Sequence, residues 1–330
     1  MADLRLGVVR DFRAEGWPSM DLCADLLLAH LPAAAPGLAA SDLATPFRRR
    51  LTRLPVVGRR GAAFNADRLF NRHVVLPRFL RRAAPRFDLF HVADHSYAHA
   101  VLALPPGRAG VYCHDLDAFR CLLDPARDPR PLWFRRIARR ILGGLNAAAV
   151  VFHSTGAVRD QLLAANLVDP ARLVHAPYGV AAEFTPTPAQ PAALPDGVTA
   201  GPFVLHVGNH IPRKRVDVLL DVFAAVRHRV PGLRLVQVGP PWSAASADRI
   251  ARLGVGPSVV QLRDLTRDQL AELYRRAAAV LVPSEAEGFG LPVIEALACG
   301  AAVVATDLPV LREVGEAAVT YCPLADVPAW

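Results

Sequence analysis

Lysine, long apolar runs and paired cysteines are nearly missing from this sequence, and each absence excludes a class of protein. Of 38 basic residues among 330, only Lys214 is a lysine. No stretch approaches the roughly 18 uncharged residues of a membrane-spanning helix, and the first residues lack the basic start and apolar core of a signal peptide. The five cysteines form no C-x-x-C pair, which argues against zinc and predicts free thiols in a reducing compartment. The sequence therefore favours a cytoplasmic chain.

Length and apolar patterning predict two α/β domains. At roughly 150 residues per domain, the chain is long enough for two cores. Short apolar runs alternate with amphipathic stretches, which is typical of strand–helix–strand units with a parallel sheet. The alternation breaks in a Pro/Ala-rich stretch, so we place the boundary between domains 1–185 and 186–330. Two doubly wound, Rossmann-like domains facing each other would bind a ligand in a cleft beyond the carboxyl ends of their strands.

The same pattern assigns individual elements. In the first half it predicts strands at 5–9, 88–92, 110–114 and 148–152 and helices at 20–30 and 133–145. In the second half it predicts strands at 203–207, 233–238, 259–262, 280–282 and 302–305 and helices at 216–230, 245–253, 267–278 and 293–299. No Gly-x-Gly-x-x-Gly loop follows the first strand, which argues against a dinucleotide-dependent dehydrogenase.

The segment 283–300 carries the clearest functional signal. A predicted strand ends at Val282, and Gly288-Phe289-Gly290 forms a loop whose backbone can approach a ligand without interference from a Cβ atom. Pro292 suits a first helical turn, and Gly300 suits the position after a helix end. The loop therefore opens onto a helix N-terminus, where free N–H groups and the helix dipole favour a phosphate.

Two glutamates flank this loop. The pattern places Glu295 on the first turn of the helix, where it can accept hydrogen bonds from sugar or ribose hydroxyls, and Glu287 next to whatever the phosphate carries. The alternative is a pair of solvated charges, and we keep that alternative for Glu285. A retaining glycosidase also needs two carboxylates, roughly 5 Å apart across a scissile bond. A carboxylate on a helix beside an anion site fits hydroxyl recognition better.

A second cluster follows the strand at 203–207. Gly208 ends the strand, and the adjacent cations Arg213, Lys214 and Arg215 follow. Arginine offers a planar fork and lysine a compact point charge, so these residues could line a phosphate pocket, with solvated surface charge as the alternative. Because the rest of the chain uses only arginine, the single lysine indicates that its position requires an ammonium group.

Arginines also bunch between Arg48 and Arg86, where Asp67 is the lone acid. Solvated helix faces would explain this bias. The alternative is a surface that attracts the phosphates of an anionic membrane leaflet, a lipid-linked acceptor or a nucleic acid. Nucleic acid is the weakest of the three, because the stretch has few aromatic residues and matches no helix-turn-helix, RRM or zinc pattern. We expect a basic surface with peripheral contact to the inner face of a membrane, and no nucleic acid.

Together these motifs resemble the GT-B retaining glycosyltransferases of the large family 4. Their C-terminal signature has two glutamates separated by seven residues, as Glu287 and Glu295 are here. The Gly208–Lys214 stretch is similar to the family's diphosphate-binding loop, and Pro177-Tyr178-Gly179-Val180 is similar to its interdomain Pro-Asn-Gly-Val. The resemblance covers essentially the whole predicted C-terminal domain, including Leu308–Gly315 after the signature helix, and is looser in the N-terminal half.

The resemblance implies roles on the donor side. A nucleotide diphosphate-sugar would lie mainly on the C-terminal domain, with Arg213 and Lys214 neutralising the diphosphate. Glu295 would hold ribose hydroxyls, and Glu287 would hold hydroxyls of the transferred sugar. The implied donor-binding set, with the nucleobase near its last two members, is Gly208, Gly288, Phe289, Gly290, Leu291, Glu295, Arg263 and Leu265. Fixed donors at a departing diphosphate lower the barrier without requiring a metal, so we expect no metal and no cofactor.

In the N-terminal half, the segment 90–97 resembles the one whose histidine faces the donor sugar. We favour His95 over His91, because a histidine within a strand is more often a packing residue. The loop 15–18 takes the place of the family's first-strand glycine loop, which touches acceptor and phosphate. The predicted acceptor side is Gly16 with His114 and Asp115. The last two look like a cleft-lining pair after the next strand, although a histidine bonded locally would only secure the turn.

Two departures from the family pattern matter. Asn209 follows Gly208 where many members have arginine, so Arg213 would have to supply the second positive contact. The sequence stops at Trp330, whereas family members usually continue with helices that cross back onto the N-terminal domain. We therefore expect a C-terminal end that is truncated relative to the family, or one that a partner closes.

The resemblance implies a hexosyltransferase-type enzyme of polysaccharide biosynthesis. It would move a sugar with retention from a nucleotide diphosphate-sugar to a glycan, lipid-linked or small-molecule acceptor. The predicted catalytic residues are His95, Arg213, Lys214 and Glu287. Two alternatives stay open: a nucleotide-sugar 2-epimerase, which needs no acceptor, and a non-catalytic GT-B module that binds a nucleotide-sugar or a membrane. A glycogen-phosphorylase-like relative would need a lysine-bound pyridoxal phosphate, and the single lysine would then serve two roles.

Overall fold

A computed structural model describes residues 4–55, 58, 61–195, 197–198 and 201–330. The chain divides into two compact units, Met1–Ala176 and Pro177–Trp330, whereas the sequence pattern places the boundary after residue 185. In the part that is described, each unit contains one six-stranded parallel sheet. Arg59 and Arg60 of the predicted basic stretch lie outside the described residues. The predicted fold class, two Rossmann-like α/β domains, is confirmed for each unit by itself.

The first unit orders its strands β2-β1-β3-β4-β5-β6. The strands are β1 (Leu4–Val9), β2 (Leu38–Asp42), β3 (Leu89–Val92), β4 (Ala109–Cys113), β5 (Val150–His153) and β6 (Leu173–His175). The helices are α1 (Pro18–Ala34), α2 (Gly61–Phe70), α3 (Leu76–Ala83), α4 (Arg120–Leu123), α5 (Leu132–Ala147) and α6 (Gly156–Ala164). A π-helical turn, Asn71–Val75, joins α2 to α3. Fully buried valines of β1, β3, β4 and β5 form the centre of the core.

The second unit has the Rossmann strand order, which is 3-2-1-4-5-6 when its strands are counted within the unit. Its strands are β7 (Phe203–Val207), β8 (Arg234–Val238), β9 (Val259–Leu262), β10 (Ala279–Val282), β11 (Val303–Thr306) and β12 (Val319–Cys322). Its helices are α7 (Val216–Arg229), α8 (Ala244–Arg252), α9 (Arg267–Arg276), α10 (Leu291–Ala298) and α11 (Pro309–Gly315). Leu219, Leu220 and Phe223 of α7 are fully buried and pack into this unit's core.

Each sheet has one place where the strand order reverses. In the first unit the reversal lies between the paired strands β1 and β3, and in the second it lies between β7 and β10. In open parallel sheets, ligands bind in the crevice outside the carboxyl ends of strands at such a point. The loops that follow these four strands are therefore where the fold favours a ligand.

The structure also bears on the predictions made for membrane-spanning helices and for the cysteines. Among the residues described, no helix is both long and apolar enough to cross a bilayer. No disulfide joins cysteines in the part of the chain that the structure describes, where four of the five are buried and Cys23 is partly buried.

Candidate functional site

The loop after β7 begins at Gly208, and a side-chain hydrogen bond fixes the carbonyl of this glycine. Gln237 Nε2 donates to the Gly208 carbonyl at 2.9 Å. The chain then forms a short 3₁₀ turn, Pro212–Lys214, and Arg215 has a left-handed backbone with φ +47° before α7 begins. A non-glycine residue in this region is strained. The tight turn presents Arg213 and Lys214 at the carboxyl end of β7.

The loop after β10 requires a glycine where it meets α10. Gly290 has φ +94°, and a Cβ atom added to it would lie 2.7 Å from Leu311 Cδ2. A substitution there is therefore both strained and crowded. The helix begins at Leu291, with Gly290 as its N-cap, so the loop does open onto a helix N-terminus as predicted.

Side-chain and backbone contacts join these two loops. Lys214 Nζ lies 2.6 Å from Glu287 Oε1, and Arg213 Nη1 donates to the Ala286 carbonyl at 2.8 Å and lies 3.5 Å from Glu287 Oε2. The Glu285 backbone N–H donates to the Arg213 carbonyl at 2.8 Å. The structure therefore brings the single ammonium to the loop that leads into α10, two residues before Phe289.

The lysine–glutamate pair is largely shielded from water. The side chains of Lys214 and Glu287 are 13% and 6% exposed, and that of Arg213 is 20% exposed. Ser284 Oγ also donates to Glu287 Oε1, at 2.7 Å. Because two cations share one carboxylate here, the cluster keeps an excess positive charge, which favours an anion such as a diphosphate.

Glu295 is buried one turn further along α10 than the sequence pattern places it. The helix begins at Leu291, so Glu295 is its fifth residue and is not on the first turn. Its Oε2 accepts a hydrogen bond from the Tyr274 hydroxyl at 3.0 Å. Burial raises the pKa of Glu295 to about 7, although the Tyr274 hydrogen bond opposes this shift. The carboxyl group is thus placed to gain or lose a proton near neutral pH.

The predicted nucleobase residues follow β9. Arg263 is exposed and lies 3.7 Å from the carboxylate of Asp264, while Leu265 is half-buried. Both lie beyond the carboxyl end of β9, at the same edge of the sheet as the loops after β7 and β10. Among the described residues, no hydrogen bond or ion pair is seen between them and the Lys214–Glu287 pair, so their role stays a prediction.

The sequence analysis did not identify a pair of hydrogen-bonded glutamines that supports the loop after β7. Gln237 of β8 is fully buried, and its neighbour in register, Gln261 of β9, donates to its Oε1 at 3.0 Å. Gln261 Oε1 in turn accepts from the Trp242 backbone N–H at 3.2 Å. These amides fix the Gly208 carbonyl and hence the start of the loop. The available signal was a glutamine flanked by apolar residues within each of two neighbouring strands.

In the first unit, His95 is buried between two carboxylates. Its Nδ1 accepts from the His114 backbone N–H at 3.3 Å and lies 3.3 Å from Asp94 Oδ1, and its Nε2 lies 3.4 Å from Asp115 Oδ1. Burial opposes protonation, but the two carboxylates outweigh it and raise the pKa of His95. His91 instead packs against Phe152, with ring centroids 5.4 Å apart. Burial lowers the pKa of His91 to about 4.

His114 and Asp115 differ in their surroundings. The His114 ring is buried, its Nε2–H donates to the Ala93 carbonyl at 2.7 Å, and it stacks on Tyr112 at 4.8 Å between centroids. Burial lowers the pKa of His114. Asp115 is partly exposed and contacts His95. The structure therefore joins His95, His114 and Asp115 into one cluster at the carboxyl ends of β3 and β4.

The loop after β1 is divided between an exposed glycine and a buried glutamate. Gly16 is exposed, with φ +71° and open space around it. Glu15 is completely buried: its Oε1 accepts from Arg72 Nε at 2.8 Å and from the Tyr97 hydroxyl at 2.6 Å, and its Oε2 accepts from Arg72 Nη2. Glu15 therefore fixes the core of this unit, whereas Gly16 is exposed and available to a ligand.

The basic stretch is smaller than its sequence indicates. Arg72 turns inward to Glu15 and is not part of a surface. Asp67 is buried and accepts hydrogen bonds from the backbone N–H groups of Arg50, Leu51 and Thr52, each at 3.0 Å. Although burial opposes ionisation, these bonds lower the pKa of Asp67 to about 2. The lone acid therefore anchors the chain and does not neutralise the exposed arginines around it.

Comparisons with known proteins identify a similar family and similar relatives. Residues 198–322 match the family described as glycosyl transferases, group 1. The D-inositol 3-phosphate glycosyltransferase of Mycobacteroides abscessus is 38% identical over 154 residues, which are 44% of this chain and 34% of that relative. The one from Actinosynnema mirum is 40% identical over 164 residues, which are 46% and 39% of the two chains. The matches thus span about two-fifths or less of these curated relatives.

Solved structures resemble the chain over nearly its whole length. Sucrose-phosphate synthase from Thermosynechococcus elongatus is 20% identical with a TM-score of 0.68, and Anabaena HepE in complex with UDP and glucose is 17% identical with a TM-score of 0.70. Each match covers 99% of this chain and 87% of the other. At these identities the likeness concerns the fold alone.

Each unit by itself has the Rossmann-like fold that the sequence resemblance to GT-B proteins implied. The paired loops at the strand-order reversal of the second unit lie within the matched region. The second unit is therefore similar to glycosyl transferases of group 1 over residues 198–322.

Proposed function

We propose that the chain is a retaining glycosyltransferase that moves a sugar from a nucleotide diphosphate-sugar to an acceptor hydroxyl. The observation that carries this proposal is the contact between Lys214 and Glu287, which joins the loops at the strand-order reversal. A metal-independent reaction and a cytoplasmic location, with any membrane contact peripheral, are part of the proposal. The group 1 match of the second unit supports it.

The leaving group determines which residues act. In the proposed step the bond between the sugar's anomeric carbon and the diphosphate oxygen breaks, and the diphosphate keeps the electron pair. The acceptor oxygen attacks on the same face, and its proton passes to the departing phosphate. Arg213, Lys214 and the N–H groups of the loop 288–291 stabilise the developing negative charge. Glu287 holds the ammonium in position before the donor arrives and then contacts hydroxyls of the sugar.

The first unit would supply the acceptor side. We propose that the imidazole of His95 faces the donor sugar, where, against the effect of burial, Asp94 and Asp115 raise its pKa and favour positive charge. Asp115 restrains the imidazole through its contact with Nε2. Gly16, with open space around it, would admit the acceptor together with His114 and Asp115.

The named relatives suggest the first substrates to test. The HepE structure is a complex with UDP and glucose, so UDP-glucose is our first candidate donor. The curated relatives are named for D-inositol 3-phosphate, which we place first among acceptors, ahead of lipid-linked and glycan acceptors.

The proposal is tested by a thermal-shift screen of UDP-, GDP- and ADP-sugars, followed by product analysis. A ligand at about 100 times its Kd should stabilise the fold by about 2.7 kcal/mol. We expect one nucleotide class to raise the Tm and its sugar to appear on an added acceptor with retained anomeric configuration. Stabilisation without turnover would favour a binding module, and a 2-epimer formed without acceptor would favour an epimerase. No stabilisation by any nucleotide-sugar would contradict the proposal.

Nucleotide-sugar affinity should depend on pH through Glu295. The charge of a diphosphate-sugar is constant near neutrality, whereas the Glu295 carboxyl loses its proton near pH 7. A carboxylate accepts stronger hydrogen bonds than a neutral acid, so the Kd of the bound nucleotide-sugar should fall several-fold, by at most about tenfold, between about pH 6 and pH 8. Calorimetric titration checks this, and Glu295→Gln should remove the slope.

Glu295 should also make the free energy of unfolding of the ligand-free chain depend on pH. Since the folded pKa of Glu295 lies above its ordinary value of 4.5, the stabilisation from its protonated form is present below that value and is lost as pH rises through about 7. Glu295→Gln should therefore reduce the decline in the free energy of unfolding across this window. Equal pH slopes for both proteins in binding and in stability would exclude Glu295 from the donor site.

A further inference from the structure

Helix α5 presents an unusual outward face. Successive helical residues are about 100° apart, so Leu132, Trp133, Arg136, Arg139 and Arg140 share about a third of the helix circumference. We call these five residues the α5 outer face. All of them are exposed, whereas the opposite side carries the buried residues Ala138, Ile141 and Leu145.

The buried side holds α5 firmly against the unit. A Cβ atom added to Gly144 would lie 2.0 Å from the Ala98 carbonyl oxygen, so the backbone of α5 lies directly against the segment 95–103. The outer face is therefore presented on a fixed element and not on a loop.

Two large apolar side chains of this face have no cover. Leu132 is 70% exposed and Trp133 is 55% exposed, which are the highest values for large hydrophobic residues in the described chain. Single exposed leucines are common on protein surfaces. An exposed leucine beside an exposed tryptophan forms an apolar patch that is typical of an interaction site.

The charge beside this patch has one sign. Arg136, Arg139 and Arg140 form no ion pair with any carboxylate of the described residues, whereas the nearby Arg130 pairs with Asp128 at 2.8 Å and Arg159 with Asp160 at 2.9 Å. The patch lies at the helix N-terminus, whose dipole adds positive potential. The outer face therefore combines exposed hydrocarbon with uncompensated positive charge.

We propose that the α5 outer face docks the protein onto an anionic lipid bilayer, with Leu132 and Trp133 entering the interface and the three arginines contacting lipid phosphates. A bilayer offers negative charge and hydrocarbon together, and tryptophan concentrates at its interface. A nucleic acid would pair with the arginines but would leave Leu132 in water. This surface is distinct from the predicted Arg48–Arg86 stretch and goes beyond the proposed transfer reaction.

Vesicle sedimentation of the full chain tests this docking. We expect binding to vesicles of phosphatidylcholine mixed with phosphatidylglycerol, and little binding to phosphatidylcholine alone. Each basic residue near an anionic surface contributes about fivefold to partitioning, so the triple variant Arg136→Gln/Arg139→Gln/Arg140→Gln should lose about two orders of magnitude. The variant Leu132→Ser/Trp133→Ser should also lose most of the binding.

Matched controls distinguish docking through the α5 outer face from non-specific attraction of any exposed arginine to anionic vesicles. The triple variant Arg78→Gln/Arg81→Gln/Arg82→Gln removes three exposed arginines of α3, and Leu324→Ser removes an exposed leucine of the second unit. Both should bind nearly as well as the parent. An equal loss in the α3 variant would assign docking to general charge and overturn the proposal, as would absence of vesicle binding by the parent. Thermal unfolding of each variant confirms that it is folded.

A second readout does not depend on the arginines. Brominated lipids should quench the tryptophan emission of the parent, because Trp133 would lie at the depth of the interface. Trp133→Phe should still sediment with anionic vesicles but lose that quenching. Quenching that persists in Trp133→Phe would show that another tryptophan enters the bilayer and would overturn the assignment to α5. Capture of the chain by a soluble protein through this face, without vesicle binding, would also overturn it.

Discussion

Lys214→Ala is expected to lower turnover by about 10²- to 10³-fold at saturating donor, because it removes a fixed cation from the departing diphosphate. The ammonium is 13% exposed, and electrostatic stabilisation is worth most where water is excluded. Lys214→Arg keeps the charge but replaces a compact point charge by a planar fork, so it should recover only part of the rate. The measurement is kcat with the donor that the nucleotide screen identifies.

A loss of rate in Lys214→Ala must be separated from a loss of folding. Removing the lysine leaves the nearly buried Glu287 without its short contact, and breaking such a pair is destabilising. The double variant Lys214→Met/Glu287→Gln removes both charges and should regain stability without regaining turnover. Arg229→Ala, an exposed change at the far end of α7, serves as the control. Unchanged turnover in folded Lys214→Ala would remove the lysine from the mechanism.

Glu15→Ala should give the largest loss of stability, about 3–5 kcal/mol in the free energy of unfolding of the first unit. The change leaves the nearly buried guanidinium of Arg72 and the buried hydroxyl of Tyr97 without the carboxylate that both contact. The measurement is denaturant unfolding followed by probes of each unit, and the transition of the second unit should stay in place.

The exposed pair Arg5–Asp88 provides the matched comparison for Glu15. It has the same two-pronged geometry, with both contacts at 3.0 Å, but its side chains are 51% and 35% exposed. Asp88→Ala should therefore reduce the free energy of unfolding much less than Glu15→Ala does. Similar losses for Glu15→Ala and Asp88→Ala would show that burial of the Glu15 pair contributes nothing.

Strands were predicted well where the sheet buries them on both faces. The bounds of the central strand β7 agree with the prediction, because a central parallel strand reads as a continuous apolar run. The bounds of β9 also agree, although β9 lies at a sheet edge and is only partly buried. The short strands β2, β6 and β12 were not predicted. They lie at or near sheet edges and mix polar with apolar residues, so neither a run nor an alternation marks them.

The segment from α2 to α3 was missed for a different reason. Its arginines conceal the helical period, and the π-helical turn Asn71–Val75 adds a residue to one turn and shifts the apolar stripe. That turn directs Arg72 inward to Glu15. The sequence therefore suggested a uniformly basic surface where the structure contains a buried ion pair.

Local sequence determined the strand–loop–helix units, the glycine that the start of α10 requires and the position of the single lysine. These features depend on backbone conformation and on neighbours within a few residues. Tertiary structure alone decided that Lys214 contacts Glu287, 73 residues away, and that Glu15 contacts Arg72, 57 residues away. The first contact arises because β7 and β10, which are distant in the chain, pair and end side by side. The second arises because the π-helical turn Asn71–Val75 brings Arg72 against the loop after β1. No local pattern specifies which charges then meet.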